Sequence, residues 1–160
     1  MKKAILVLGI IGLFSSCLKN DSKCTATDSP LIAPSSEVTS LQNYCAANAP
    51  SAVAHSSGIF YEILTPGSGA NANICSNVSV RYAGYIIGGS STPFDNSSTA
   101  VTFALSRLIV GWQKGIPLVK AGGSIRLYIP PTLGYGSAGS PPTIPPNSYL
   151  RFDIQVDDVK

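Results

Sequence analysis

The stretch Arg107 to Gly136, RLIVGWQKGIPLVKAGGSIRLYIPPTLGYG, decides how the rest of the chain is read. At its centre, Leu108-Ile109-Val110-Gly111-Trp112 brings in the only tryptophan, directly behind a glycine. The following segment, Gln113 to Val119, carries Pro117, which has no backbone N–H and restricts any helix here to a short one. Ser124 to Ile129 then reads as a strand leaving the segment. A strand leading in, a large flat ring and a strand leading out predict that the ring forms the floor of an apolar cup.

Working outward, the chain supplies the walls. Gly58 to Leu64 predicts a first strand, closed by the turn Thr65-Pro66-Gly67-Ser68-Gly69. Asn77 to Ile87 predicts a second, with Val78, Val80 and Tyr82 alternating against Ser79, Arg81 and Ala83. After the loop Gly88 to Pro93 and a polar turn at Asn96-Ser97-Ser98, Val101 to Leu105 predicts the next strand. A proline-rich loop, Ser137 to Ser148, precedes a last strand, Tyr149 to Val156. Its period of two turns Leu150, Phe152, Ile154 and Val156 inward and Arg151, Asp153 and Gln155 outward. Upstream, Pro34-Ser35-Ser36-Glu37 predicts a helix start with a serine cap and an acid in the first turn. Val38, Leu41 and Cys45 give that helix an apolar stripe, and it ends near Ala49-Pro50. The sum is a small antiparallel α+β domain.

Composition agrees with a strand-and-turn protein. Fifteen glycines and twelve prolines punctuate short branched or aromatic runs, and 160 residues allow one ordinary core plus a tether. Charged residues are 12% and the net charge is +3, too weak and scattered for a nucleic-acid partner.

At the start, Met1-Lys2-Lys3, an apolar run Ala4 to Phe14, and Phe14-Ser15-Ser16-Cys17 resemble a bacterial lipoprotein signal. The run is shorter than the roughly 20 residues a membrane-spanning helix needs. The resemblance implies that residues 1–16 are removed, that Cys17 carries lipid, and that the chain is anchored to a membrane of the cell envelope. Residues 17–34 are polar and read as a solvated tether, 35–57 as the short helix and a linker, and 58–160 as the domain. With Cys17 committed to lipid, Cys24, Cys45 and Cys75 form an odd set in an oxidising compartment. Cys45 lies on the helix's apolar stripe, so Cys24 is paired with Cys75; a bridge through Cys45 is the alternative.

Residues for covalent or metal chemistry are scarce. His55 is the lone histidine and lies in a polar linker, no zinc-ligand spacing occurs, and no Gly-x-Ser-x-Gly elbow is present. No metal or cofactor is implied. What recurs is a set of aromatic and branched residues beside loops: VRYAG at 80–84, PFDNS at 93–97, FAL at 103–105 and IVGWQKG at 109–115. LYIPP follows at 127–131, LGYG at 133–136, IPPNS at 144–148 and LRFD at 150–153. Together, over Gly58 to Lys160, these resemble FKBP-type peptidyl-prolyl cis-trans isomerases.

The resemblance implies a twisted antiparallel half-barrel wrapped around one short helix, with the pocket between them. It places Trp112 at the floor, Tyr82, Phe94, Phe103 and Phe152 at the walls, and Leu108 and Ile144 at the rim. It gives the Ile109 backbone N–H and the Tyr135 hydroxyl the task of binding substrate carbonyls, and puts the Asp95 carboxylate at the wall. Proline-containing polypeptides are the implied partners, and macrolides of the family the implied small ligands. A carboxylate beside an apolar cup needs hydrogen-bond partners, for which tyrosine hydroxyls and Arg81 are available. Three alternatives stay open: Asp95 as a residue that only closes a turn, a non-catalytic proline-binding module of the same fold, and a lipoprotein whose domain is purely structural.

Overall fold

The computed structural model describes residues 24–160; Cys17 and the leader lie outside the described residues. The chain runs α1 (Ser35–Asn48), β1 (Val53–Ala54), β2 (Phe60–Thr65), β3 (Asn77–Ile86), β4 (Asp95–Ala104), α2 (Val110–Gly115), β5 (Ser124–Ile129) and β6 (Leu150–Val159). The strands form one sheet in the order β1-β2-β5-β6-β3-β4, and every neighbouring pair is antiparallel.

Period-two patterning separates the faces of this sheet. Val78, Val80, Ile125, Leu127, Ile129, Leu150, Ile154 and Val156 are each 0–2% exposed and form the core with Ile116 and Trp112. Burying one such side chain contributes about 1.5–3 kcal/mol. Helix α2 closes this inner face. It can do so because Gly111 and Gly115, one turn apart, present no side chain to β5: a Cβ would come within 2.6 Å of Ile129 and 2.4 Å of Leu127. Helix α2 is short because Pro117 has no N–H to continue it, and it gives way at Ile116-Pro117-Leu118 to a single 3-10 turn.

Helix α1 lies on the other face. Leu41 and Cys45 are buried against Phe60 and Tyr128, a cross-strand pair of β2 and β5 that points away from the main core. The sheet is therefore covered on both sides along β2 and β5. The first turn of α1 differs from the sequence expectation: Pro34 occupies the N-cap position and no side chain caps the helix. Glu37 is directed elsewhere.

Three other expectations change. The polar run Asn96-Ser97-Ser98 is part of β4 rather than a turn. The register moves from Tyr82 paired with Ser97 to Val80 paired with Val101, so the extra residues are absorbed as a bulge in one long strand. Strand β1, two exposed residues pairing with Phe60 and Tyr61, is too short to leave a periodic signal. The segment read as a solvated tether is held against the domain from Cys24 onward. A disulfide joins Cys24 to Cys75, Ala33 is buried, and the Ala33 N–H donates to the Ser57 carbonyl at 2.9 Å. Cys45 is buried and free, and burial with nearby Glu62 pushes its thiol up to about 11, which keeps it protonated and inert.

Candidate active site: an aromatic cup

The cup opens between α2 and the inner face of the strands. Tyr82 comes from the middle of β3, Asp95 and Phe103 from the two ends of β4, and Phe152 from β6. Trp112 stands on α2, with Leu108 and Ile109 just before it, and Tyr135 reaches in from the loop after β5. These eight residues line a cavity of about 170 Å³. A closed cavity of about 150 Å³ takes a benzene ring, so this one has room for a single five-membered ring.

The rings of the cup meet edge to face. Trp112 lies 5.3 Å from Tyr82, 6.5 Å from Phe103 and 5.2 Å from Phe152 between centroids, with interplanar angles of 81°, 86° and 88°. Such contacts set the positive edge of one ring against the negative face of another and hold each in one orientation. Trp112 is 4% and Phe152 3% exposed, so the floor is also core. The Trp112 indole N–H is buried without a partner among the described residues, which leaves one donor at the floor.

Strand β3 makes room for the rings at Gly84. A Cβ there would stand 2.6 Å from Phe152 and 2.7 Å from Phe94, so only glycine lets both rings lie across the strand. Phe94 is packed behind the wall, edge-on to Phe152 at 5.6 Å, and does not line the cavity. Ile144 also stands back from the rim. It is 3% exposed, its side chain belongs to the core, and its backbone pairs with Ser140 to close the proline-rich loop. Both residues support the cup rather than touch its contents.

Polar groups gather at the rim. The Tyr82 hydroxyl donates to Asp95 Oδ2 at 2.8 Å, which answers the carboxylate. Arg81, the other candidate partner, faces the opposite side of the sheet and pairs with Asp157. Burial first, then the bond to Asp95 and its charge, push the Tyr82 hydroxyl up to about 12. Burial and the Asp95 charge also raise Tyr135, whose ring is 37% exposed. Ile109 is the N-cap residue of α2; its carbonyl accepts from Trp112 and Gln113, while its own N–H makes no hydrogen bond among the described residues. The Gln113 side chain takes up the Leu108 carbonyl at 2.7 Å and fixes the approach to the helix.

Sequence reading assigned no supporting role to Gly84, whose lack of a side chain lets Phe94 and Phe152 cross the strand, or to Gln113; the first shows only in packing between strands, the second in a bond to a carbonyl five residues back. Among the described residues there is no group of acids, histidines and cysteines that could hold a metal ion. His55 lies apart from the cup, with its ring Nδ1 2.9 Å from the Ser57 hydroxyl.

Known proteins similar to this chain in sequence and in shape include peptidyl-prolyl cis-trans isomerases. FKBP-type peptidyl-prolyl cis-trans isomerase FkpA of Escherichia coli strain K12 is 44% identical over 108 residues, spanning 66% of this chain and 39% of that protein. The chain thus matches under half the length of that relative. The crystal structure of Escherichia coli FkpA superimposes with a TM-score of 0.69 at 36% identity, over 78% of this chain and 58% of that one. A peptidyl-prolyl cis-trans isomerase from Pseudomonas syringae pv. tomato superimposes with a TM-score of 0.68 at 29% identity, over 84% of this chain and 99% of the other. The family model for FKBP-type peptidyl-prolyl cis-trans isomerase matches residues 69–157, the whole span that carries the cup from β3 to β6. With the aromatic cup, the half-barrel around α2 and this match in agreement, the chain belongs to the FKBP-type peptidyl-prolyl cis-trans isomerase family.

Proposed function

We propose that this chain accelerates rotation about Xaa-Pro peptide bonds and so assists the folding of exported proteins. The observation that carries the reading is the cup itself: a ring-sized apolar cavity walled by perpendicular aromatics, with polar groups gathered at its rim and a single indole N–H at its floor.

Rotation about an amide C–N bond meets a barrier near ~20 kcal/mol because the bond is partly double. No bond needs to break. The planar amide is polar and well hydrated, whereas the half-rotated form has lost resonance and carries less charge on oxygen. A dry cup that grips the proline ring therefore disfavours the planar form more than the twisted one, which is selective binding of the transition state. In this reading the Ile109 N–H and the Tyr135 hydroxyl hold the flanking carbonyls out of plane; the Ile109 N–H being without a hydrogen bond among the described residues supports it. Lowering the barrier by about 7 kcal/mol corresponds to roughly 10⁵-fold acceleration.

The test is turnover of an Xaa-Pro peptide by the purified chain, with and without a macrolide of the kind this family binds. Turnover that the macrolide suppresses supports the reading. A peptide that binds the cup without faster exchange makes the chain a proline-binding module instead.

The envelope setting is proposed on separate grounds. The Cys24–Cys75 disulfide fits an oxidising compartment. The run ending in Ser15-Ser16-Cys17 fits lipid attachment at Cys17 and an anchor in the outer membrane, facing the periplasm or the surface. Replacing Cys17→Ser is expected to leave an unprocessed precursor, detected by mass; a normal mature chain from that variant refutes the anchor.

A further inference from the structure

Glu37 does not serve its own helix. Its carboxyl group crosses to the loop ahead of Tyr135, where Oε2 accepts from the Thr132 backbone N–H at 3.0 Å and Oε1 from the Thr132 hydroxyl at 2.7 Å. Thr132 lies in the 3-10 turn Pro131–Leu133. The first N–H groups of such a turn find no partner within it, and Pro131 has none to offer, so Thr132 carries the unanswered donor. Two parallel bonds to one carboxyl group fix the orientation of the turn as well as its position.

That constraint reaches the cup within three residues. The N–H groups of Gly134 and Gly136 both return to the Pro131 carbonyl at 2.9 Å, so the backbone on each side of Tyr135 is tied to the turn that Glu37 holds. The Tyr135 ring is 37% exposed and its hydroxyl lacks a hydrogen bond among the described residues, so the backbone that carries the ring has a large share in setting where the hydroxyl lies. Helix α1 is a firm base for the brace, because Leu41 and Cys45 are buried against Phe60 and Tyr128. Glu37 also lies outside residues 69–157, the part matched by the family model.

We propose that Glu37 is a positioning residue for Tyr135: acting through Thr132, the N-terminal helix sets where the rim hydroxyl meets a substrate carbonyl. The proposal rests on the isomerase reading of the cup. It makes α1 part of the working site rather than a spacer between membrane and domain.

The test uses the full chain with its Cys24–Cys75 disulfide intact. Glu37→Ala removes both bonds of the brace and Thr132→Val its hydroxyl bond, whereas Glu37→Gln keeps an acceptor for the Thr132 N–H and Thr132→Ser keeps the hydroxyl. We expect the first pair to lower kcat/KM for an Xaa-Pro peptide about fivefold and the second pair to restore most of it. In a Tyr135→Phe background, Glu37→Ala should cause no further loss. Full additivity in that background overturns the proposal, as does undiminished turnover by Glu37→Ala. Unfolding midpoints identify any variant that does not fold, and Thr132→Val then carries the test. If the unaltered chain shows no turnover, the isomerase reading fails by itself. Peptide affinity, read from Trp112 emission, then decides the brace: Glu37→Ala must weaken binding in the unaltered chain and not in Tyr135→Phe.

Discussion

The floor of the cup and its rim are built on different principles. Trp112 and Phe152, at the floor, are almost wholly buried and belong to the same core as Leu127 and Ile154. Asp95 and Tyr135, at the rim, are exposed, sit on a strand end and a loop, and add little apolar contact. One set of side chains therefore serves stability and binding together, while the other can be altered without disturbing the fold. In the proposed reading, the second set acts by placement rather than burial.

The largest expected effect comes from breaking the floor. Trp112→Ala removes a ring that touches Tyr82, Phe103 and Phe152, and should cost about 3–5 kcal/mol of stability together with most turnover. Denaturant unfolding and a peptide assay on the same samples check both. A variant that loses turnover but unfolds at the normal midpoint would show that the floor is not core.

A rim substitution should separate the two quantities. Tyr135→Phe keeps the ring and removes only the hydroxyl, so turnover should fall about fivefold while stability stays within about 0.5 kcal/mol. An equal loss in both would place Tyr135 with the floor. Asp95→Asn sharpens the picture at the other side of the rim. It removes the charge that helps to hold the Tyr82 proton but leaves burial, the leading cause, in place. The Tyr82 hydroxyl should then titrate below about 12 yet above its ordinary 10, as followed by tyrosinate absorbance.

The same division governs what could be read from sequence. Floor residues announce themselves, because Leu150, Phe152, Ile154 and Val156 follow a period of two and Trp112 sits in a glycine-flanked segment. Rim residues carry no period; Asp95, Ile109 and Tyr135 were found by resemblance of their local motifs. Phe94 and Ile144 show the limit of that method. Their motifs place them at the cup, but only packing reveals that Phe94 stands behind Phe152 and that Ile144 is turned into the core. The disulfide was reachable because Cys45 lies on a buried stripe. The bond between Glu37 and Thr132 was not, since a residue 95 positions away leaves no mark on a helix-start pattern that already explained the acid.

The smallest expected effect is the most exposing, because it is no effect at all. If the cup works by desolvation and grip, turnover requires no proton transfer, and the two tyrosine hydroxyls need only remain donors. Burial and Asp95 raise both, Tyr82 from an ordinary 10 to about 12, so both keep their protons well past neutrality. Turnover should be flat from about pH 7 to 9. His55 introduces no limb in that window, since burial and then the Lys114 charge lower it from 6.5, and it does not line the cup. The sign reverses for stability at higher pH. A tyrosine whose pKa is raised on folding adds stability that is complete below the unfolded value of 10, and for Tyr82 this is lost as pH climbs from 10 towards 12. Tyr128, raised by burial and by its bond to Glu62, acts in the same direction. Unfolding midpoints should therefore fall above about pH 10, and turnover should decline with them rather than ahead of them. A bell-shaped profile with a limb near ~8 in a fully folded sample would mean that a group in the cup exchanges a proton with substrate, and that the division between gripping floor and placing rim is wrong.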